Sequence, residues 1–480
     1  MNLSLRSLFD PKKLILIPAL SFSSFAQGWG QYGHEAVNQS AIDLLSTSDS
    51  IGACFQTPAA RYLVTRYAVT PDIEWKTDMS LPNLDSEDKL ARRDNDCYEH
   101  PLHFFEADAF VTPSNDQDAI FKAFSIESLS GDYRDVAFKE YSKMMASKIN
   151  YILTVDPSKA IESKLSPTTL DVSLHGTAPW RARSLYLASV EAMKKKDFQL
   201  AALYLGSMGH YVGDMSQPFH TTLNFNGGFP AEARTVGIHH EIDTGLFETL
   251  WTAKQKKNHT QKDANDVYNS FENTKADVQS TAEVEFKQIA DLNEANIVAT
   301  ILERLVASGY PEVESLLKAY QQECTDANST IASKNTKKRG VASKAPSTEK
   351  YCVNIPIGAA GKTKVRSIGI AREKKLSDYS LPPTILKALE MRLGKSSAIL
   401  AKLWISAWKE AGQPAFGDCS TWKFDQSYAI KNYLKPDYYP VGFNGKTKSK
   451  CHNDESAVER EPGSAKAKPP QSPVKSYESN

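Results

Sequence analysis

Apolar residues recur at helical spacing over most of the chain. Between Glu35 and Leu45 they fall three and four residues apart, which is typical of an amphipathic helix. The same rhythm returns in four later segments: 117–127, 136–153, 178–195 and 197–215. It predicts its longest helical region over Phe286–Gln322 and another helix from about Pro383 to Ala411. Strand-like alternation is scarce before residue 350, so we expect a mainly α fold.

One basic segment interrupts this pattern, although the chain as a whole is balanced at 57 basic and 57 acidic residues. That balance gives no overall basic field of the kind that attracts nucleic acid. Residues 325–375 nevertheless carry twelve basic residues against three acidic ones. The polar first half of this segment predicts a loop, and the second half predicts a β-hairpin around Gly358–Gly361. We favour a solvated surface insertion; contact with an anionic membrane or nucleic acid is the alternative.

The first 28 residues are typical of a cleavable export signal. Three basic residues precede the apolar run Leu14–Leu20, and small residues follow. Cleavage fits after Ala26 or after Gly28, and the second cut would make Trp29 the first residue. We therefore expect a secreted or periplasmic protein.

Six cysteines would meet an oxidising compartment after export, which makes them candidates for disulfides. They are Cys54, Cys97, Cys324, Cys352, Cys419 and Cys451. Their number allows many connectivities, and we expect sequential pairing because it joins cysteines that are already local. None shows the C-x-x-C spacing of a zinc ribbon, so metal binding through sulfur is not expected.

Histidines and aspartates are concentrated in one window. His210 and Asp214 lie four residues apart at the end of a predicted helix, so their side chains share a face. A proline then ends that helix, which lets His220 approach from another direction. His239 and Asp243 repeat the four-residue spacing on the next predicted helix.

Imidazole and carboxylate groups together are typical zinc ligands. One such pair is weak support for a metal site, but two linked pairs are much stronger, because burying these groups without a cation would be costly. The residues alone therefore predict a metal centre.

The stretch HYVGDMSQPFH (210–220), followed by GIH (237–239) and Asp243, resembles the signature of zinc-dependent phospholipases C and the related single-strand-specific nucleases. The resemblance covers roughly 29–250. It implies a mainly α-helical domain with three Zn²⁺ ions in a cleft.

The resemblance also assigns ligands to each ion. One zinc would be held by Asp72, His103, His210 and Asp214. A second would be held by the free amine and carbonyl of Trp29, by His34 and by a bridging Asp214. A third, more loosely held, would be bound by His220, His239 and Asp243.

A hydrolytic mechanism follows from these ligands. Zinc lowers the pKa of bound water from about 15.7 to about 7–9, so a hydroxide between the paired ions would attack phosphorus in line. Asp72 matches the position of the family's proposed general base. The third zinc would stabilise the departing alkoxide.

The sequence is compatible with two classes of substrate, phospholipids and single-stranded nucleic acids. The GIH motif and the Thr221–Asn224 run favour a phospholipase C that splits a phosphatidylcholine-like lipid into diacylglycerol and a phosphorylated head group. The short spacing from Trp29 to His34, and Asp243 as the last ligand, are similar to the nucleases, which makes single-stranded nucleic acid the alternative. A non-catalytic, metal-stabilised binding protein is a third interpretation, which the complete ligand set disfavours.

Phe104, Phe105 and Glu106 are candidate substrate contacts. Aromatic faces suit a choline cation or a stacked base, and a place in the core is the alternative for the two phenylalanines. The expected partner is a phospholipid at a membrane surface, with nucleic acid only under the alternative, and no obligate protein partner is evident.

The predicted organisation is a single multi-helix catalytic domain with a tri-zinc cleft and a small basic insertion that contains a β-hairpin. Its boundaries are a signal peptide at 1–28, the catalytic domain at 29–324, the insertion at 325–380, a closing helix at 381–412, a C-terminal extension at 413–452 and a disordered tail at 453–480.

Overall fold

The computed structural model describes these residues: 29–77, 81–105, 107, 177–222, 239, 242, 261–318 and 383–435. Most of them are helical and none forms a strand, so the mainly α prediction is confirmed for this part of the chain. The predicted signal peptide, the helices at 117–127 and 136–153, the β-hairpin and the tail lie outside these residues. No helix within them is long and apolar enough to cross a membrane.

The helices follow each other along the chain in two groups. The first comprises α1 (Gly30–Asp43), α2 (Ser50–Phe55), α3 (Pro58–Tyr67), α4 (Thr70–Ile73), α5 (Ser86–Glu99) and a 3₁₀ turn at His100–His103. The second comprises α6 (Ala178–Lys194), α7 (Phe198–Asp214), a 3₁₀ turn at Pro218–His220, α8 (Gln261–Gln288), α9 (Ile297–Ile301), a π-helical segment at Leu302–Ala307, α10 (Pro383–Glu410), a 3₁₀ turn at Cys419–Thr421 and α11 (Gln426–Lys431).

Helix α7 lies at the centre of the described fold. Every side chain from Ala201 to Asp214 is buried. The helix packs against α1, α3, α6 and α10, which explains why its sequence is apolar on nearly all sides. The polar residues at its carboxyl end, His210 and Asp214, are therefore carried into the interior.

Two glycines allow the neighbouring helices to approach α7 closely. A Cβ atom on Gly206 would lie 2.6 Å from Tyr67 Cβ, and one on Gly209 would lie 1.9 Å from Asn38 Oδ1. The gap is narrow enough for the Asn38 amide to donate to two carbonyl oxygens, those of Val64 and Gly206, at 2.8 and 3.0 Å. Larger side chains on this face of α7 would push α1 and α3 away from α7.

Helix α10 contributes a buried cation to the loop that leaves α7. Arg392 is fully buried, and its Nε donates to the carbonyl oxygen of Ser216 at 2.9 Å. Its two other nitrogens donate to Ser308 Oγ and to the carbonyl oxygen of Leu305, in the π-helical segment. Burial lowers the pKa of Arg392 to about 10, with Glu312 and Glu285 opposing the shift. One guanidinium thus ties α10 and the π-helical segment to the chain beyond Asp214.

The cysteine pairing differs from the prediction. Cys54, in α2, forms a disulfide with Cys419, which is 365 residues away, so sequential pairing of Cys54 with Cys97 is wrong. The reason is that the chain after α10 returns across the first helices. Trp75 Nε1 donates to the carbonyl oxygen of Ala429 at 2.8 Å, in the segment that the bond secures. Residues 413–435 of the predicted extension are therefore packed on the helical core.

Among the helices predicted within the described residues, most occur where the apolar spacing placed them, with one clear exception. The predictions over 178–195, 197–215 and Pro383–Ala411 are confirmed as α6, α7 and α10. The region predicted to be helical from Phe286 is instead broken, because α8 ends at Gln288 and α9 begins at Ile297. The side chains of Asn293 and Asn296 bond backbone N–H groups in that gap, which stabilises a turn in place of a helix.

We expect the long-range disulfide to be a main source of stability. Replacing Cys54 or Cys419 with alanine should lower the free energy of unfolding by about 2–5 kcal/mol, because the bond constrains a very large loop. Urea unfolding of both single variants and the double variant measures this. The double variant should lose no more than either single variant, since all three break one bond. Additive losses would contradict the pairing.

Candidate metal centre

Five separate elements carry six of the candidate ligands. His34 lies on α1, Asp72 on α4, and His103 ends the first 3₁₀ turn. His210 and Asp214 occupy the last turn of α7, and the next 3₁₀ turn ends at His220. All six side chains are buried, with at most 3% of the surface of each exposed.

Two histidines and two aspartates form the first group of donor atoms. His210 Nε2 lies 2.8 Å from His103 Nδ1, and Asp214 Oδ2 lies 3.4 and 3.2 Å from these two atoms. Asp72 approaches from the other side, with Oδ2 3.7 Å from His210 Nε2 and Oδ1 3.9 Å from His103 Nδ1. Two carboxylates and two imidazoles therefore converge on one small volume.

A second group adjoins the first through Asp214. His34 Nε2 lies 3.4 Å from Asp214 Oδ1, while Oδ2 of the same carboxylate faces the first group. The backbone nitrogen of Trp29 lies 3.1 Å from His34 Nε2. The indole of Trp29 is fully buried and donates to the carbonyl oxygen of Gly213 at 2.7 Å, which holds this backbone nitrogen beside the end of α7.

The third group contains two histidines. His239 Nε2 lies 2.8 Å from His220 Nε2. His220 Nδ1 is 2.9 Å from the carbonyl oxygen of His103 and 3.6 Å from Asp214 Oδ1, which joins this group to the other two. The third predicted ligand, Asp243, lies outside the described residues.

Burial favours the neutral form of three imidazoles, those of His34, His210 and His239. It lowers the pKa of His34 and His210 well below the usual value, and neighbouring positive groups, including Lys76, lower both further. Burial and the same lysine lower the pKa of His239 to about 3. A neutral imidazole offers a lone pair, which is the form that binds a metal ion.

Backbone carbonyl groups orient two of these rings. His210 Nδ1 lies 2.8 Å from the carbonyl oxygen of Ala68, and His220 Nδ1 contacts that of His103. A proton on Nδ1 satisfies each carbonyl and leaves Nε2 as the acceptor that faces the cluster. Because this set of buried nitrogen and oxygen donors matches zinc chemistry, the group could hold a metal ion.

Sequence reasoning missed two charged residues at this centre. Lys76 is buried, and its Nζ lies 3.2 Å from Asp72 Oδ1, four residues earlier. Glu99 is also buried, and its Oε1 lies 3.4 Å from His103 Nε2, again at a spacing of four. Burial raises the pKa of Glu99, and the nearby Arg181 opposes this shift. The spacing that singled out His210 and Asp214 was present in both pairs and could have revealed them.

The two described candidate substrate contacts, Phe104 and Phe105, differ in how far they are buried. Phe104 is half-buried, and its ring stacks on His220 with centroids 4.6 Å apart. Phe105 is fully buried, with its ring 5.9 Å from that of Trp180, so its side chain belongs to the core. This supports the core alternative for Phe105 over a place in the cleft. Glu106 lies outside the described residues.

Comparison with known proteins places the chain in no family. No family model matches it, and no solved structure matches it. A protein of Bradyrhizobium tropiciagri that is named as a probable serine protease is 28% identical over 148 residues. That stretch is 30% of this chain and 17% of the relative, so the chain spans less than a fifth of the relative's length.

We expect Asp214→Asn to impair metal binding more than any change to an exposed carboxylate. The substitution removes the negative charge that faces His34, His103 and His210, so zinc affinity should fall at least about tenfold. Zinc content after gel filtration and a chelator competition measure the effect.

Asp197→Asn is the matched control. Asp197 caps the amino end of the same helix and accepts from the N–H of Leu200. Asparagine caps a helix as well as aspartate does, so this variant should keep the parent's metal content. Full zinc content in the Asp214 variant would refute the central position of that carboxylate.

Proposed function

We propose that this protein is a zinc-dependent phosphodiester hydrolase that acts on phospholipids as a phospholipase C. The observation that carries the proposal is the convergence of His34, Asp72, His103, His210 and Asp214 on one buried volume, with His220 and His239 beside it. Residues as far apart in sequence as His34 and Asp214 would gain nothing from this arrangement unless a cation compensated their burial.

The three donor groups suit three zinc ions. The first ion would take Asp72, His103, His210 and Asp214, and the second would take Trp29, His34 and Asp214. The third would take His220, His239 and Asp243. Zinc supplies a Lewis acid and a water that is acidic enough to react near neutral pH.

The chain's own residues have distinct tasks in this reaction. Asp214 offers Oδ1 to one donor group and Oδ2 to another, so its position fixes the distance between them. Asp72 has one oxygen toward Lys76 and the other toward His210, where it can orient or deprotonate the attacking water. The Lys76 ammonium compensates carboxylate charge within the buried site.

With three zinc ions bound, the site would carry a net positive charge that attracts a phosphodiester. Three divalent cations outweigh the three aspartates among the ligands, and Lys76 adds a further positive charge nearby. A substrate phosphate would therefore be drawn to the centre even though the whole chain has no net charge.

Single-stranded nucleic acid is the second candidate substrate. The backbone nitrogen of Trp29 contacts His34, five residues later, and this short spacing resembles the nucleases. Phe104, stacked on His220, has an aromatic face that suits a nucleobase as well as a choline cation. The site motifs favour the lipid, and a direct assay separates the two.

The name of the B. tropiciagri relative raises serine proteolysis as a different chemistry. A nucleophilic serine is activated by a neighbouring base, most often an imidazole. Ser216 lies two residues after Asp214, but its hydroxyl donates to the carbonyl oxygen of Gly213 at 2.6 Å and accepts from Trp29 Nε1 at 2.9 Å. These bonds favour a structural role for Ser216, so the proposal is based on the metal ligands.

The substrate assignment predicts release of diacylglycerol from phosphatidylcholine vesicles. Activity should disappear in EDTA and return when zinc is restored, because the chemistry depends on the bound ions. Single-stranded DNA is assayed in parallel, and Asp214→Asn is the inactive control. DNA cleavage with intact lipid would overturn the lipid assignment. Failure to cleave either substrate in the zinc-loaded protein would overturn the proposed function.

The second donor group predicts a requirement for Trp29 as the first residue. A free amine has a lone pair for zinc, whereas an amide nitrogen has none. A protein that begins at Trp29 should therefore bind zinc more tightly than one that retains Gln27 and Gly28. Zinc titration of the two forms tests this, and equal affinities would remove Trp29 from the ligand set.

A further inference from the structure

Glu99 is placed to act on the metal centre through His103. It is the last residue of α5, and the 3₁₀ turn that follows keeps His103 on the same side. His103 turns Nδ1 toward Asp214 and His210, and turns Nε2 toward Glu99 Oε1 at 3.4 Å. One ring nitrogen thus faces the donor cluster, while the other faces a fully buried carboxylate.

Two side chains hold this carboxylate in place. The hydroxyl of Tyr211, the residue after His210, donates to Glu99 Oε1. Arg181, on α6, lies 3.5 Å from Glu99 Oε2 through its Nη2. Both partners are fully buried, so the orientation of Glu99 is set from two helices at once.

The fold in turn holds Arg181. Its Nη1 donates to the carbonyl oxygen of Leu434, in the segment that the disulfide secures. Its guanidinium also lies 5.3 Å from the ring centroid of Trp75 and 5.0 Å from that of Tyr433. Such contacts restrict the guanidinium, and through it the carboxylate beside His103.

We propose that Glu99 is a positioning residue that accepts a hydrogen bond from the Nε2–H group of His103 and so fixes the tautomer in which Nδ1 binds the metal ion. The inference rests on the proposed metal centre. Carboxylates that bond the outer nitrogen of a ligating histidine orient the ring and raise its basicity. His210 and His220 have their outer nitrogens against backbone carbonyl groups at 2.8 and 2.9 Å, whereas the outer nitrogen of His103 faces a carboxylate at 3.4 Å.

The first test compares zinc affinity in the parent protein and in Glu99→Gln. Glutamine keeps the size of the side chain but removes the charge, so zinc should bind about 10–100-fold more weakly at the site that includes His103. Competition with a chromogenic chelator measures this without reference to activity. An affinity equal to the parent's would overturn the role of Glu99.

Glu74→Gln is the matched control. Glu74 is a second fully buried carboxylate, and it pairs with Arg66 at 2.5 Å. Its variant should lose stability but keep the parent's zinc affinity. Equal weakening of zinc binding in both variants would assign the effect to general destabilisation and would overturn the proposal. A parent protein that binds no zinc would instead refute the metal centre itself.

The tautomer of His103 gives a second readout, which is measured in the parent protein itself. Long-range proton–nitrogen spectra of the zinc-loaded parent, labelled at histidine, should show His103 protonated at Nε2 and ligated at Nδ1. His210 should show the opposite tautomer, because its Nδ1 faces the carbonyl oxygen of Ala68. Signals that disappear in His103→Gln assign the ring. Protonation of His103 at Nδ1 would overturn the proposal.

Discussion

The burial of one carboxylate among four imidazoles is the constraint on which the rest of the structure depends. Asp214 Oδ1 faces His34 and His220, and Oδ2 faces His103 and His210, all within 3.6 Å. Taking such groups out of water is costly unless a cation or hydrogen bonds replace the lost hydration. The helices converge on Asp214. This carboxylate therefore lies both in the packed core of the fold and in the candidate metal site.

The surrounding fold gives that centre its rigidity. Close packing at Gly206 sets α7 against α3, and close packing at Gly209 sets it against α1, which brings His34 and the chain leading to Asp72 into position. Arg392 fixes the loop that follows Asp214 by bonding its backbone. These contacts lie outside the donor cluster, yet they determine how far apart the donors stand. A site assembled from several elements needs this kind of support to keep its geometry.

Local spacing along the chain predicted α1, α6, α7 and α10 and the motif around His210, Asp214 and His220, because both depend on neighbours within a few residues. Asp72 and His103 came from the family resemblance, since nothing near them in sequence marks them as partners of α7. The pairing of Cys54 with Cys419 was missed because it depends on the return of the chain across the core. Glu99 was missed although it stands four residues before His103; its bonds to partners on α6 and α7 are visible only in the structure.

The disulfide between α2 and the segment after α10 also bears on the order of events during biosynthesis. Its second cysteine leaves the ribosome 365 residues after the first. The disulfide to the early helices therefore cannot form until most of the polypeptide has been synthesised. Arg181 likewise receives its backbone acceptor only when Leu434 has been made. A nascent chain thus carries its first candidate metal donors, such as His34, long before the residues that enclose them have all been made.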